Sequence, residues 1–483
     1  MDIIRVGLDF GTHQTKICVR KIQDEGHGES FFDFFTFKDL ADKKKYFLPS
    51  IVQINKDDTL SYGYVDKNLE KIESQEPTID YGTITNIDED ITGTAHKLFQ
   101  KYATEKDSEE DLAVISDMLN LRNEILSQKK EQETKAAEAR YESEMEEYRN
   151  NRNYFLYFKQ ATFAIREWHK KIDSDVLCIW YLTYIIFLLE DEYGDNFSIN
   201  MGVPADDKSY KEKKELAISI LASAYNLVEN VYDNDLNKYL SEKVDQLLAK
   251  TIIIPYSEDL KEYYNINVFP EAFANLLCFT SKGKLSRGMS LTADIGGGTT
   301  DMSFFTINNG KPDIYRYWSI PRGLNYLAEK SGFYYEEIVN INKQIKQEAI
   351  DTFNRKKKEI VALLVKDLTR QLQKETNISV FNLYNALENR YLIYSGGGST
   401  LSILTEPINP FTSVKLIDKS LWNLENVKNK STVDRLCQLL MTAYGLTLGD
   451  DDAIVKLSKF TSLFQGLPNN EREARRMIDK DCC

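Results

Sequence analysis

Asp9 and Asp294 each end an apolar stretch that runs into a glycine turn, in Val6-Gly-Leu-Asp-Phe-Gly-Thr-His-Gln-Thr-Lys16 and Leu291-Thr-Ala-Asp-Ile-Gly-Gly-Gly-Thr-Thr-Asp-Met-Ser-Phe-Phe305. Phosphates are held well by backbone N–H groups that point inward from a turn, and glycine lets the backbone approach that closely in strained conformations. Gly11 serves the first turn, followed by Thr12, His13 and Gln14. Gly296, Gly297 and Gly298 serve the second, followed by Thr299 and Thr300. The threonines, with Thr15, add hydroxyl donors. A carboxylate beside each turn suits Mg²⁺, which keeps several waters and needs only one or two protein carboxylates. Each segment is half of a phosphate clamp, made twice.

The elements that must carry these residues are strands. Ile3-Ile-Arg-Val6, Ile17-Cys-Val19 and Met302-Ser-Phe-Phe305 are rich in strand formers, so both turns are expected at hairpin tips rather than between a strand and a helix. No G-x-x-x-x-G-K-[ST] phosphate loop is present. Taken singly, D-x-G-T also fits an ordinary hairpin. A third apolar strand opening into a glycine turn, Tyr391-Leu-Ile-Tyr-Ser-Gly-Gly-Gly-Ser-Thr400, shifts the balance, with Gly397, Gly398 and Ser399 placed to meet an adenosine.

In this order the three segments resemble those of the actin, heat-shock chaperone and sugar-kinase superfamily of ATPases. Two connecting helices look similar as well, Val268-Phe-Pro-Glu-Ala-Phe-Ala-Asn-Leu-Leu277 and Leu440-Met-Thr-Ala-Tyr-Gly-Leu446, as does Met201-Gly-Val-Pro-Ala205 with the helix expected from Lys211 to Asn226. Asp-Ile-Gly-Gly-Gly-Thr-Thr-Asp301 and Gly397-Gly-Ser-Thr400 look most like DnaK-type chaperones and bacterial actins. Pro77 to Asp88 resembles actins more than chaperones. The resemblance implies an α/β fold of two ribonuclease-H-like halves around a nucleotide cleft. It also implies ATP or ADP with Mg²⁺ as cofactors, Asp9, Thr12 and Asp294 around the metal, and Lys67 on the γ-phosphate, after Leu48-Pro-Ser-Ile-Val52 and Tyr62-Gly-Tyr-Val-Asp-Lys67.

The chain departs from the family at several points. Phe269 stands where chaperones carry a glutamate before the proline, and Glu271 follows the proline as the candidate to orient the attacking water. Leu439 replaces an aspartate before the second connecting helix, and Gly323 is a single glycine where relatives have two. These departures bear on turnover more than on binding, so ATP binding without hydrolysis stays open.

Motif spacing divides the chain into a first half over residues 1–285, a second over 286–455 and a helix with a charged tail over 456–483. Each half carries an insertion. Residues 100–172 include the polar run Lys129 to Glu147, expected as a solvated helix. Within it, residues 105–150 are a candidate arm for a protein partner. Residues 325–385 form a shorter helical subdomain. The stretch after residue 450, about 33 residues, has no room for the peptide-binding domain of DnaK-type chaperones, which needs roughly 100 residues or more. Three functions follow: a chaperone-like ATPase switch without that domain, an actin-like filament with self-association, and a small-molecule kinase. The kinase ranks last because no extra carboxylate base accompanies the motifs.

Composition bounds the rest. With 61 basic and 75 acidic residues the net charge is −14, which argues against nucleic acid or an anionic membrane as partner. Runs such as Lys43-Lys-Lys45 and Arg355-Lys-Lys-Lys358 read as solvated faces. The cysteines, 6 of 483 residues, have no metal-ligating spacing. Cys18, Cys178, Cys278 and Cys437 lie in apolar contexts and read as buried thiols of a reducing, cytoplasmic compartment. Cys482-Cys483 lacks the polybasic flank of a prenylated tail, and a strand begins too early for a signal peptide. The apolar run Val176 to Leu189 falls short of the ~18 residues of a membrane span and is expected as a buried helix.

Overall fold

The computed structural model describes residues 3–23, 30–38, 45–66, 68–69, 120, 123–124, 126–141, 143–144, 153–280, 289–308, 311–332, 345–375, 387, 390–417, 424, 426–449 and 457–459. The chain separates into two compact units, one of Met1–Leu69 with Tyr154–Cys483 and one of Glu70–Asn153. In the smaller unit the described residues 126–141 are helical, and the side chains there are mostly exposed. A Lys135–Glu131 pair (2.6 Å) one turn apart runs along that helix, as its polar, glycine-free sequence leads one to expect.

The larger unit is mixed α/β, built on two five-stranded orders that repeat one another. The first sheet runs β3 (Ser30–Phe34), β2 (Gln14–Ile22), β1 (Ile3–Phe10), β8 (Phe197–Val203), β9 (Ile266–Pro270), with the short β4 (Leu48–Pro49) also on β2. The second runs β12 (Lys311–Ile320), β11 (Thr300–Asn308), β10 (Ser290–Ile295), β13 (Tyr391–Ser395), β14 (Ser413–Leu416). In both, the first three strands in chain order are antiparallel neighbours and the last two join in parallel on the other side. The parallel side explains the apolar runs in β8 and β13, because a strand covered by helices on both faces has no polar face to alternate. A small sheet of β5 (Val52–Ile54), β6 (Leu60–Tyr62) and β7 (Tyr154–Phe155) completes the unit.

Helices pack on these sheets. Ser174–Tyr193 is buried on nearly every side, with Trp180, Tyr181 and Leu182 at 0% exposure, and Tyr210–Asn226 lies beside it. No helix among the described residues is long and apolar enough to cross a membrane. The four cysteines Cys18, Cys178, Cys278 and Cys437 are buried. The first connecting helix begins later than its sequence implies. Ile266–Pro270 is β9, parallel to β8, and the helix is Glu271–Thr280. Val268 and Phe269 are buried strand residues, and Pro270, with no N–H to give to a ladder, fits the end of a strand at the sheet's edge. The second connecting helix spans Cys437–Leu448 and packs against Glu271–Thr280, and Gly445 makes the crossing possible. A Cβ there would fall 1.9 Å from the Ala274 carbonyl oxygen. Of the helical subdomain expected over residues 325–385, Gln347–Glu375 is a helix and residues 333–344 lie outside the described residues.

Candidate functional site

The two hairpins deliver their acids by cross-strand register. Asp9 on β1 stands opposite Lys16 on β2, and directly opposed residues of an antiparallel pair share a face. Lys16 Nζ accordingly donates to Asp9 Oδ2 at 2.9 Å. At the matching place in the second hairpin, Asp294 on β10 stands opposite Asp301 on β11. The repeated element therefore carries an acid–base pair in one copy and an acid–acid pair in the other.

This difference sets the electrostatics. Burial works against the Lys16 ammonium, yet Asp9, with Asp294 and Glu271 farther off, holds its pKa above the ordinary lysine value. Asp294 is pushed up to about 6, first by burial and then by the charges of Asp9 and Glu271, against a hydrogen bond from Asn275. Burial, with the Glu271 charge, pushes Asp301 well above the carboxylate range. Asp301 Oδ2 accepts from Thr299 Oγ1 (2.9 Å), while Oδ1 is buried with no hydrogen-bond partner among the described residues.

Asp294 is held by a chain of donors from both connecting helices. Thr442 Oγ1 donates to Asn275 Oδ1 (2.8 Å), Asn275 Nδ2 donates to Asp294 Oδ2 (2.7 Å), and Ser395 Oγ at the end of β13 donates to Asp294 Oδ1 (3.1 Å). The second glycine turn is clasped from outside. Leu324 N–H donates to Gly296 O (3.1 Å), Asn325 N–H to Gly297 O (2.9 Å) and Gln160 Nε2 to Gly298 O (3.0 Å). Its inner side meets the first turn, since a Cβ on Gly297 would lie 2.0 Å from the His13 ring and one on Gly298 2.4 Å from Thr12 Oγ1. His13 is no cation here. Burial, then Lys16 and Arg166, take its pKa down to about 3, and its ring packs edge-on against Tyr157 at 5.2 Å.

One cavity of about 90 Å³ gathers most of the residues singled out by sequence. Asp9 and residues 11–14 line it from the first turn, Asp294 and residues 296–299 from the second, Gly397 from the third, and Glu271 from the connecting helix. Thr300, Gly398 and Ser399 are buried and do not line it. Thr300 Oγ1 donates to Arg322 O (2.8 Å) and Ser399 Oγ to Gly396 O (2.7 Å). Lys67 and the residues 70–119 around Pro77 to Asp88 lie outside the described residues. Leu439 lines the cavity, and Phe269 is 1% exposed in the core.

Sequence reasoning missed Lys16, Lys159, Asp301 and Gln438, all of which line the cavity. Hairpin register was the available signal for Lys16 and Asp301, since pairing Phe10 with Thr15 puts Asp9 beside Lys16. No local signal marks Lys159. It sits in the first turn of the helix Phe158–Phe163 and donates to Glu271 Oε1 at 2.5 Å in the cavity lining. The lining thus sets the carboxyl groups of Asp9, Glu271, Asp294 and Asp301 against the ammoniums of Lys16 and Lys159. At about 30 Å³ per water in the liquid, its volume corresponds to roughly three waters. Neither the protein-family models nor the curated proteins yield a match to the chain.

Proposed function

We propose that the chain is an ATP-binding, ATP-hydrolysing switch whose nucleotide lies between two ribonuclease-H-like halves, in the manner of the chaperone branch of the superfamily that its motifs resemble. The observation that carries this reading is the convergence of two acid-ended strands and two glycine turns, from two sheets of the same strand order, on one cavity. The repeated antiparallel-then-parallel order supports the reading of two related halves. The turns supply inward backbone donors, Thr12 and Thr299 add hydroxyls, and Lys16 is a partly buried cation beside the first turn.

The donor set fits a hydrated Mg²⁺ better than a dehydrated one. Among the described residues no group of three or more ligating side chains converges, whereas Asp9 and Asp294 line the same cavity. When bound, the ion neutralises charge on the phosphoryl oxygens. Asp9 and Asp294 would hold its waters, and Glu271 would orient the attacking water. Residues 105–150 are the part we assign to a protein partner.

Equilibrium binding of ATP and ADP with and without Mg²⁺, followed by phosphate release, tests the reading. Binding of both nucleotides that tightens with Mg²⁺, with release of phosphate, is the expected result. Binding without release would reduce the function to a nucleotide sensor, and no binding at millimolar nucleotide would overturn it.

A further inference from the structure

The buried pair of Lys159 and Glu271 has no counterpart among the motifs, and its chemistry suits a gate. Their side chains are 3% and 10% exposed. Among the described residues Glu271 is the hydrogen-bond partner of Lys159 Nζ, whose other near neighbour is the Phe10 ring, 5.6 Å away. An ammonium has three N–H donors, so two remain for a ligand in the cavity. Glu271 is closely backed, since a Cβ on Gly202 would come 3.0 Å from its Cγ. Each of the other carboxyl groups of the cavity has a donor of its own. Asp9 accepts from Lys16, Asp294 from Asn275 and Ser395, and Asp301 from Thr299. Asp9 and Glu271 are each held by one lysine, but Lys16 sits on the adjoining hairpin strand whereas Lys159 comes from a helix 112 positions away, so Glu271 is the acid whose cation belongs to a separate element.

We propose that Lys159 and Glu271 form a latch opened by the ligand: without nucleotide Lys159 occupies Glu271, and the γ-phosphoryl group of a nucleoside triphosphate draws Lys159 away, freeing Glu271 as the general base. This rests on the nucleotide reading above. A terminal phosphoryl group offers three charged oxygens against the two of a carboxylate, so charge-assisted hydrogen bonds to it compete well for the ammonium. A diphosphate lacks that group and leaves the latch closed. In the chemical step the water oxygen bonds to the γ-phosphorus while one water proton passes to Glu271. The bond from the γ-phosphorus to the bridging oxygen breaks, and its electron pair leaves on the diphosphate. The second water hydrogen stays on the new phosphate, and Glu271 returns its proton to solvent.

Full-length Lys159→Met, Lys159→Arg, Glu271→Gln and the double variant K159M/E271Q distinguish a latch from a structural ion pair. The readouts are ATP affinity, ADP affinity and single-turnover phosphate release. K159M should weaken ATP about 10-fold or more with ADP nearly unchanged, and slow release ~10²-fold or more. K159R should recover part of both. E271Q should slow release ~10²-fold or more, yet bind ATP several-fold tighter because the competitor for Lys159 is weakened. The double variant buries neither charge, should melt near the parent, and should stay slow, which separates loss of chemistry from loss of fold. Unchanged ATP affinity in E271Q together with equal losses of ATP and ADP in K159M would overturn the latch. A parent protein that binds no nucleotide would instead overturn the function on which it rests.

Discussion

Asp294→Asn should slow phosphate release by about 10³-fold while making the ligand-free protein more heat-resistant. The loss of activity follows from removing a charge aimed at the metal and its phosphates in a buried site, where electrostatic stabilisation is strongest. The gain in stability follows from the same charge without its ligand. Asp294 has its pKa raised to about 6 from 3.8, chiefly by burial. Between those values the folded state binds the proton more tightly than the unfolded state, so stability falls as pH rises from about 4 to about 6. Above pH 6 the full cost is present, on the order of 3 kcal/mol for a rise of this size. The asparagine removes that cost above pH 6 and gives up part of the hydrogen bonding from Asn275 and Ser395. Melting scans should therefore show D294N about 2–4 °C above the parent at pH 7.5 and no higher than the parent at pH 4. A variant that melts no higher at pH 7.5, or gains equally at both pH values, would contradict this account. The parent should also lose Mg²⁺-nucleotide affinity below about pH 6, as Asp294 takes its proton.

The pH argument also marks how far the sequence could be read. The hairpin acids, the glycine turns and the apolar helices were legible because each rests on local pattern: an acid before a turn, a run of strand formers, a continuous apolar run. The sharing of one cavity by Asp9 and Asp294 was legible from the repetition of the motif. What was not legible depends on register or on tertiary approach. Asp301 was quoted within its motif, but its position opposite Asp294 appears only once β10 and β11 are paired. Lys159 and Glu271 meet across 112 positions of chain, and nothing near either residue announces the other. The start of the first connecting helix was misplaced because Val268 and Phe269 suit a buried helix as well as a buried strand, and only pairing with β8 decides between them. His13 was read as a cofactor contact. It does line the cavity, but as a neutral ring wedged between Tyr157 and the second turn.

Gly445→Ala is the substitution expected to cost the most stability, about 3 kcal/mol or more. Its added Cβ would sit 1.9 Å from the Ala274 carbonyl oxygen and 3.2 Å from Cys278 Sγ, so the clash is with backbone and no rotamer relieves it. The helices Glu271–Thr280 and Cys437–Leu448 would have to move apart, and two bonds oppose that. Cys278 donates to Met441 O at 2.8 Å, and Thr442 supports Asn275, which in turn supports Asp294. Folding and function are thus coupled at one crossing, because the contact that closes the core also fixes the acid facing the phosphates. Gly194→Ala is the contrasting substitution. Gly194 has φ 74° with no atom within 4 Å of a Cβ, so only backbone strain of roughly 1–2 kcal/mol is expected. Denaturant titration should rank the two accordingly. Whatever folded G445A remains should bind ATP more weakly than the parent, while G194A should bind it as the parent does. Equal stability losses in the two variants, or intact ATP affinity in folded G445A, would show that the helix crossing does not position Asp294.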